Sequence, residues 1–159
     1  MTKLFLSLHV LAVILAIGPV TVAASMFPRT LRTAHSGPSD GEALTTLRML
    51  HRICRVYGVI GIAVPLFGLA TASSLGVLGS PWLITSMLLT AAAAGLLVLR
   101  ILPAQGAALA AVQASVQAPG SGAEARASAR LAMATGVFNL LWATVTVLMI
   151  IRPGSTTGA

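Results

Sequence analysis

Apolar positions in this chain do not alternate with polar ones; they run on in long blocks. Leu4 to Phe27 is 24 residues without a formal charge, and 56–99 is 44 residues with neither charge nor histidine. Leu131 to Ile151 adds a further 21 uncharged residues, bounded by Arg130 and Arg152. About 20 apolar residues suffice to cross a hydrocarbon core at a helical rise of about 1.5 Å per residue. The middle block is too long for one crossing, and its centre, Ser73-Ser74, Gly76 and Gly79-Ser80-Pro81, is rich in breakers. The pattern therefore predicts one membrane domain over 1–159, all-α, with spans at about 4–27, 56–75, 81–102 and 131–151. A secretory signal is the competing reading of the first block. Its apolar run exceeds the usual length for such a signal, and Arg29 and Arg32 beyond it outnumber Lys3, so it is read as a retained span.

The connecting segments carry their own signals. Pro28 to Gly41 holds Pro28, Gly37, Pro38 and Gly41 and is expected to be a loop, with Ser39 or Asp40 capping a helix that starts near Glu42. In that helix Leu44, Leu47, Leu50 or His51, and Cys54 share one side, while Arg48, Arg52 and Arg55 share another. Pro19 and Pro65 are expected to kink the first and second spans. Ser80 is the expected cap of the third span and Pro81 its first residue. The Ala-rich stretch after Pro103 favours continuation of the third helix up to the break at Pro119-Gly120-Ser121-Gly122. Small residues four apart, Gly68 with Ala72, Ala91 with Gly95 and Ala132 with Gly136, are expected to let helices approach closely.

Composition sharpens this picture. Apolar residues make up 57% of the chain and charged ones 8%, with mean hydropathy +0.94, far from the balance of a soluble domain. The net charge is +7. Aromatic residues are only 4% and the basic residues sit at the ends of apolar segments, which excludes nucleic acid as the expected partner and leaves the lipid bilayer. Arg29, Arg32, Arg48, Arg52, Arg55, Arg100, Arg126 and Arg130 fall in two loops or their flanks, with only Lys3 and Arg152 on the other side. The expected fold is a polytopic four-helix transmembrane bundle with both termini extracytoplasmic. Nine arginines to one lysine in an Ala-rich chain suggest a high-GC bacterial source, hence a bacterial inner membrane. Cys54 is the only cysteine, so no internal disulfide forms.

Few residues offer chemistry. His9 is the one ionisable side chain inside the first span, and it shares a helical face with Ala12, Ala16, Pro19 and Ala23. Those small residues either leave room beside the imidazole for a flat cofactor or a metal, or form a packing groove in which His9 donates to a carbonyl of a neighbouring helix. Met87, near the same depth in the third span, is the first candidate for a second ligand, and Met149 another; a His and Met pair suits haem iron or copper. Methionine there also serves as ordinary core filling. His51 lies roughly 20 Å or more away along the membrane normal, so a site using both histidines is excluded within one chain. His51 and Cys54, three apart, make an incomplete metal site or interfacial packing. Arg48, Arg52 and Arg55 are expected to meet anionic lipid headgroups. Asn139, near the midplane, is expected to bond another helix. No acidic residue lies in any span, and no nucleophile and base pair or phosphate loop occurs, so no catalytic residue is expected.

The run LHVLAVILAIGPV resembles the opening helix of the CopD-like superfamily, in which a Leu-His pair precedes an aromatic residue and two glycines. Leu8-His9 and Gly18 match; Ala16 stands where tryptophan is usual, and Pro19 replaces the second glycine. LRMLHRICRVYG, leading into the second span, is also similar. The overall plan looks most like the predicted bacterial integral membrane proteins of unknown function in that grouping, and more distantly like a haem-binding protoporphyrinogen oxidase family whose first-helix histidine is a haem ligand. The resemblance implies haem b or copper at His9. That oxidase family has a further basic residue within its helices, and no Lys or His occurs in the second to fourth spans here, so its activity is not carried over. The expected function is a membrane module binding haem b or copper through His9. The alternative is an accessory or scaffold subunit of a larger membrane complex, or of a self-assembly, with no cofactor of its own.

Overall fold

A computed structural model describes residues 1–36, 41–115 and 123–154. Among these there are only helices: α1 (Thr2–Ser36), α2 (Gly41–Ile60), α3 (Ala63–Ser74), α4 (Pro81–Leu96), a π-helical turn (Leu97–Ile101), α5 (Leu102–Ser115) and α6 (Ala123–Ile151). They make four rods long and apolar enough to cross a membrane, Thr2–Ala34, Gly41–Ser74, Pro81–Ala114 and Ala125–Ile151. The chain is an all-helical, multi-pass membrane protein.

Each rod is longer than the apolar block that announces it. The first corrects the expected loop after Pro28, for α1 continues through Pro28 to Ser36. A proline inside a helix removes one hydrogen bond and crowds the carbonyl four residues back. Here the buried stripe Val20, Ala23, Ala24, Phe27 simply goes on to Leu31, so packing holds the helix through the defect. In the second rod the defect shows. Pro65 cannot donate to the Gly61 carbonyl, the helix breaks at Gly61-Ile62, and that carbonyl accepts instead from the Val64 N–H at 3.1 Å. In the third, Pro103 follows the π-turn, in which the Leu102 N–H reaches back five residues to Leu97. Widening the helix there relieves the clash between the proline ring and the preceding turn, and the Ala-rich α5 carries on. Pro81 opens α4 as expected, but the Ser80 hydroxyl makes no cap hydrogen bond. The expected cap at Ser39 or Asp40 and the break at 119–122 lie outside the described residues.

Successive rods run antiparallel, so the arginine-rich segments gather at one end of the bundle and His9 lies toward the other. α1 is the central staff: it packs along α2 and α3 on one side and against α6 on another, while α4 packs on α6 and α5 on α2. At the basic end the core is one cluster built on Val20, Phe27, Leu31, Leu47, Leu97 and Phe138. Two hydrogen bonds tie α6 to α1 here: the Ser128 hydroxyl donates to the Pro28 carbonyl at 3.1 Å, and the Asn139 amide donates to Ser25 Oγ at 3.1 Å. Toward the His9 end the core divides. Ala12, Ala16 and Val64 form one small cluster, and Ala72, Trp82 and Leu83 another.

The expected small-residue contacts are mostly absent. A Cβ added at Gly95 or Gly136 meets nothing within 4 Å; Ala132 is exposed, and Ala91 lines an open space rather than a helix contact. Gly68 is the exception, and its neighbour is a side chain rather than a helix backbone.

The two halves should therefore differ in their sensitivity to truncation. Phe27→Ala, at a fully buried position, is expected to cost about 3 kcal/mol or more through lost contacts and an unfilled space. Leu99→Ala, at a position 73% exposed, is expected to change stability little; denaturing-detergent titration of both variants measures the difference.

Candidate functional site

The division of the core leaves a cavity of about 880 Å³ among α1, α3, α4 and α6. Its wall is overwhelmingly apolar, with His9, Thr71, Thr90, Thr146 and Arg152 as polar exceptions. Met87 and Met149 also line it, so all three ligand candidates read from the sequence come to one space. The space is not enclosed: Ile14, Ile150 and Ile151, among its lining residues, are 62%, 75% and 64% exposed, so it opens to the outside of the bundle.

His9 is held by a contact that settles its chemistry. Its Nδ1 lies 2.9 Å from the Val64 carbonyl oxygen. A carbonyl can only accept, so Nδ1 carries the proton and donates. In the neutral ring this leaves Nε2 with its lone pair, and Nε2 has no hydrogen-bond partner among the described residues. This is the contact expected of a packed histidine that donates to a carbonyl of a neighbouring helix, and it ties α1 to α3. A ligand-binding histidine commonly has its second nitrogen fixed to a carbonyl in this way.

The ring fits because residue 68 has no side chain. A Cβ at Gly68 would lie 3.0 Å from His9 Cε1 and 3.2 Å from Nδ1, tighter than nearly all real Cβ contacts, so the imidazole would have to shift by a few tenths of an ångström to admit it. Val64 supplies the acceptor, Pro65 marks the helix start, and Gly68, one turn beyond Val64, makes room for the imidazole.

At the mouth of the cavity α6 ends in an unusual way. Pro153 disfavours helical geometry for Arg152, which takes φ 46°, with Gly154 following at φ 81°. The Arg152 N–H still reaches the Leu148 carbonyl at 3.0 Å. Its side chain lies over Trp82, with the guanidinium carbon 5.7 Å from the ring centroid, and Nε donates to the Met149 carbonyl at 3.3 Å. The terminal guanidinium nitrogens have no hydrogen-bond partner among the described residues. Trp82 and Trp142 also line the cavity, and both indole N–H groups are buried without an acceptor.

His51 and Cys54 do not share a metal site. Each turns to the fully buried Gln105 of α5, whose amide oxygen accepts from His51 Nδ1 at 3.1 Å and whose amide nitrogen donates to Cys54 Sγ at 3.6 Å. Among the described residues no three His, Cys, Asp or Glu side chains group to hold a metal ion. Arg48, Arg52 and Arg55 are exposed at the basic end of α2, as the helical pattern requires.

His9, Met87 and Met149, the candidates visible in the sequence, line one space, whereas the contacts of Val64, Gly68, Trp82, Arg152 and Gln105 are not foreseen there. Arg152-Pro153 was the signal for the turned-back arginine.

Gly68→Ala tests the seat directly. Nitrogen NMR of histidine-labelled protein should show His9 as the Nδ1–H form in the wild type. In Gly68→Ala the ring is displaced and that signature is expected to weaken or disappear, at a stability cost of about 1 kcal/mol for the lost bond.

No family model, curated protein or solved structure matches this chain.

Proposed function

We propose that this chain is a haem b-binding module of a bacterial inner membrane, with both termini on the extracytoplasmic side, in which His9 would hold the haem through Nε2. The observation that carries the reading is the division of labour within one imidazole, where Nδ1–H is spent on the Val64 carbonyl and Nε2 is left unbonded beside a large apolar cavity. The orientation rests on the eight arginines at one end against Lys3 and Arg152 at the other. The resemblance of Leu8-His9 and its surroundings to the CopD-like superfamily supports the same residue.

The residues present fit haem b better than copper. A space of about 880 Å³ far exceeds what a single metal ion needs, and a soft copper site would need His9 joined by thioethers such as Met87 and Met149 in close coordination. Haem has a broad apolar face, which suits the aliphatic wall, and carboxylate groups, which suit the unbonded guanidinium nitrogens of Arg152. In this reading His9 binds and orients, Gly68 admits the ring, Arg152 takes a carboxylate at the mouth, and the apolar lining excludes water. Bound haem b supplies reversible one-electron exchange at its iron. Met87 and Met149, which line the same space, would be the candidates for a second protein ligand. No catalytic residue is assigned. The exposed apolar faces of α2 and α3 suit lipid as well as another subunit, so they do not favour the accessory-subunit reading.

The visible spectrum of protein purified in mild detergent from haem-replete cells tests this. The wild type is expected to show a Soret band, lost in His9→Ala while the variant still elutes as the wild type does. A colourless wild type, or an unchanged spectrum in His9→Ala, overturns the reading. Met87→Leu is expected to alter the band positions if its sulfur is the second ligand, and Met149→Leu if that sulfur is.

A further inference from the structure

At the basic end a second, smaller cavity of about 340 Å³ lies between α2 and α5, lined by Arg48, His51, Arg52, Arg55, Val56 and Leu109. We infer that it is a headgroup site for an anionic phospholipid, with phosphatidylglycerol as the fitting chemistry: a phosphodiester on the guanidinium groups and the adjoining lipid chain on Val56 and Leu109.

Three guanidinium groups within two helical turns repel one another, and among the described residues none has a carboxylate partner. A phosphate relieves that repulsion and satisfies the donors at once. The site is also built rather than merely charged. Arg48 is tethered, since Gln113 of α5, with its amide oxygen turned toward the guanidinium, accepts from Arg48 Nε at 3.3 Å and from Nη2 at 2.9 Å. His51 is oriented by Gln105, which is itself completely buried and anchored to Cys54. With Nδ1–H spent on Gln105, His51 Nε2 remains an acceptor, which a hydroxyl of the glycerol headgroup can use. Arg52 and Arg55 are left with their donors unassigned.

An apolar floor distinguishes this cavity from a simple phosphate-ion site. Leu109 is buried and Val56 is 47% exposed on the membrane side of the arginines, so an acyl chain or glycerol backbone covers Val56 when the phosphate sits above it. Basic pockets between helices near a membrane surface are suited to anionic lipid for this reason. The inference is independent of the haem reading, because it uses the opposite end of the bundle and none of the residues around His9.

The test is lipid retention measured by native mass spectrometry on the full chain, released from phosphatidylcholine nanodiscs containing a minor share of phosphatidylglycerol. The wild type is expected to retain phosphatidylglycerol preferentially. Each of Arg52→Gln and Arg55→Gln should lower that preference about fivefold, and together about 25-fold. Gln105→Leu, which frees His51 without changing charge, should lower it about threefold. Arg126→Gln with Arg130→Gln removes the same charge from the same end outside the cavity and should leave the preference unchanged. Equal loss in the two double variants overturns the proposal in favour of general surface charge. Displacement of the lipid by inorganic phosphate alone overturns it in favour of a free-anion site.

Discussion

A single hydrogen bond between helices organises the half of the molecule that holds the larger cavity. His9 Nδ1–H donates to the Val64 carbonyl, and the geometry of both helices is arranged to permit it. α1 brings the imidazole on a face of small residues, Ala12 and Ala16, that lets α3 come near. α3 receives it at Gly68, where a methyl group would intrude on the ring. Inside a membrane an unpaired ring N–H is costly, so the bond fixes the tautomer as well as the position. The lone pair at Nε2 follows from that choice.

The remainder of the fold can be described as one closed half and one open half. At the basic end α1, α2, α5 and α6 share a continuous core, reinforced by Ser128 on Pro28, Asn139 on Ser25 and the His51–Gln105–Cys54 chain. Hydrogen bonds between membrane helices are individually modest, about 1 kcal/mol, but here they accompany dense packing around Phe27 and Phe138. Toward the other end α3 leans on α1 and α4 on α6, and the core divides into two small clusters. The cavity lies between them. A bundle that is firm at one end can hold an opening at the other without losing its arrangement.

Much of this was legible in the sequence, and the limits have physical causes. The rods announced themselves because membrane crossing requires long apolar blocks, and His9 stood out as the only titratable group inside the first. The arginine face of α2 was readable because helical period alone separates Arg48, Arg52 and Arg55 from Leu47, Leu50 and Cys54. Helix ends were not readable. Pro28 looks like a terminator, yet Leu31 continues the buried stripe beyond it, and tertiary packing outweighs the local defect. Partners distant in sequence were invisible for a different reason: nothing local to Gly68 says that an imidazole 59 positions earlier will rest on it, and nothing near Gln105 says that it will serve both His51 and Cys54. The stripes of small residues misled at Gly95 and Gly136 because spacing shows that a face is smooth without showing what it meets.

In the proposed function the open half of the bundle would hold its ligand through His9 Nε2. A density map of the protein held in native-lipid nanodiscs, taken from haem-replete cells, measures this most directly. The expected result is a flat, strongly scattering feature in contact with His9 Nε2, flanked by α3, α4 and α6, with the Val64 carbonyl still bonded to Nδ1. Acyl-chain density alone in that space, or an imidazole turned so that Nε2 bonds a neighbouring helix, would contradict it.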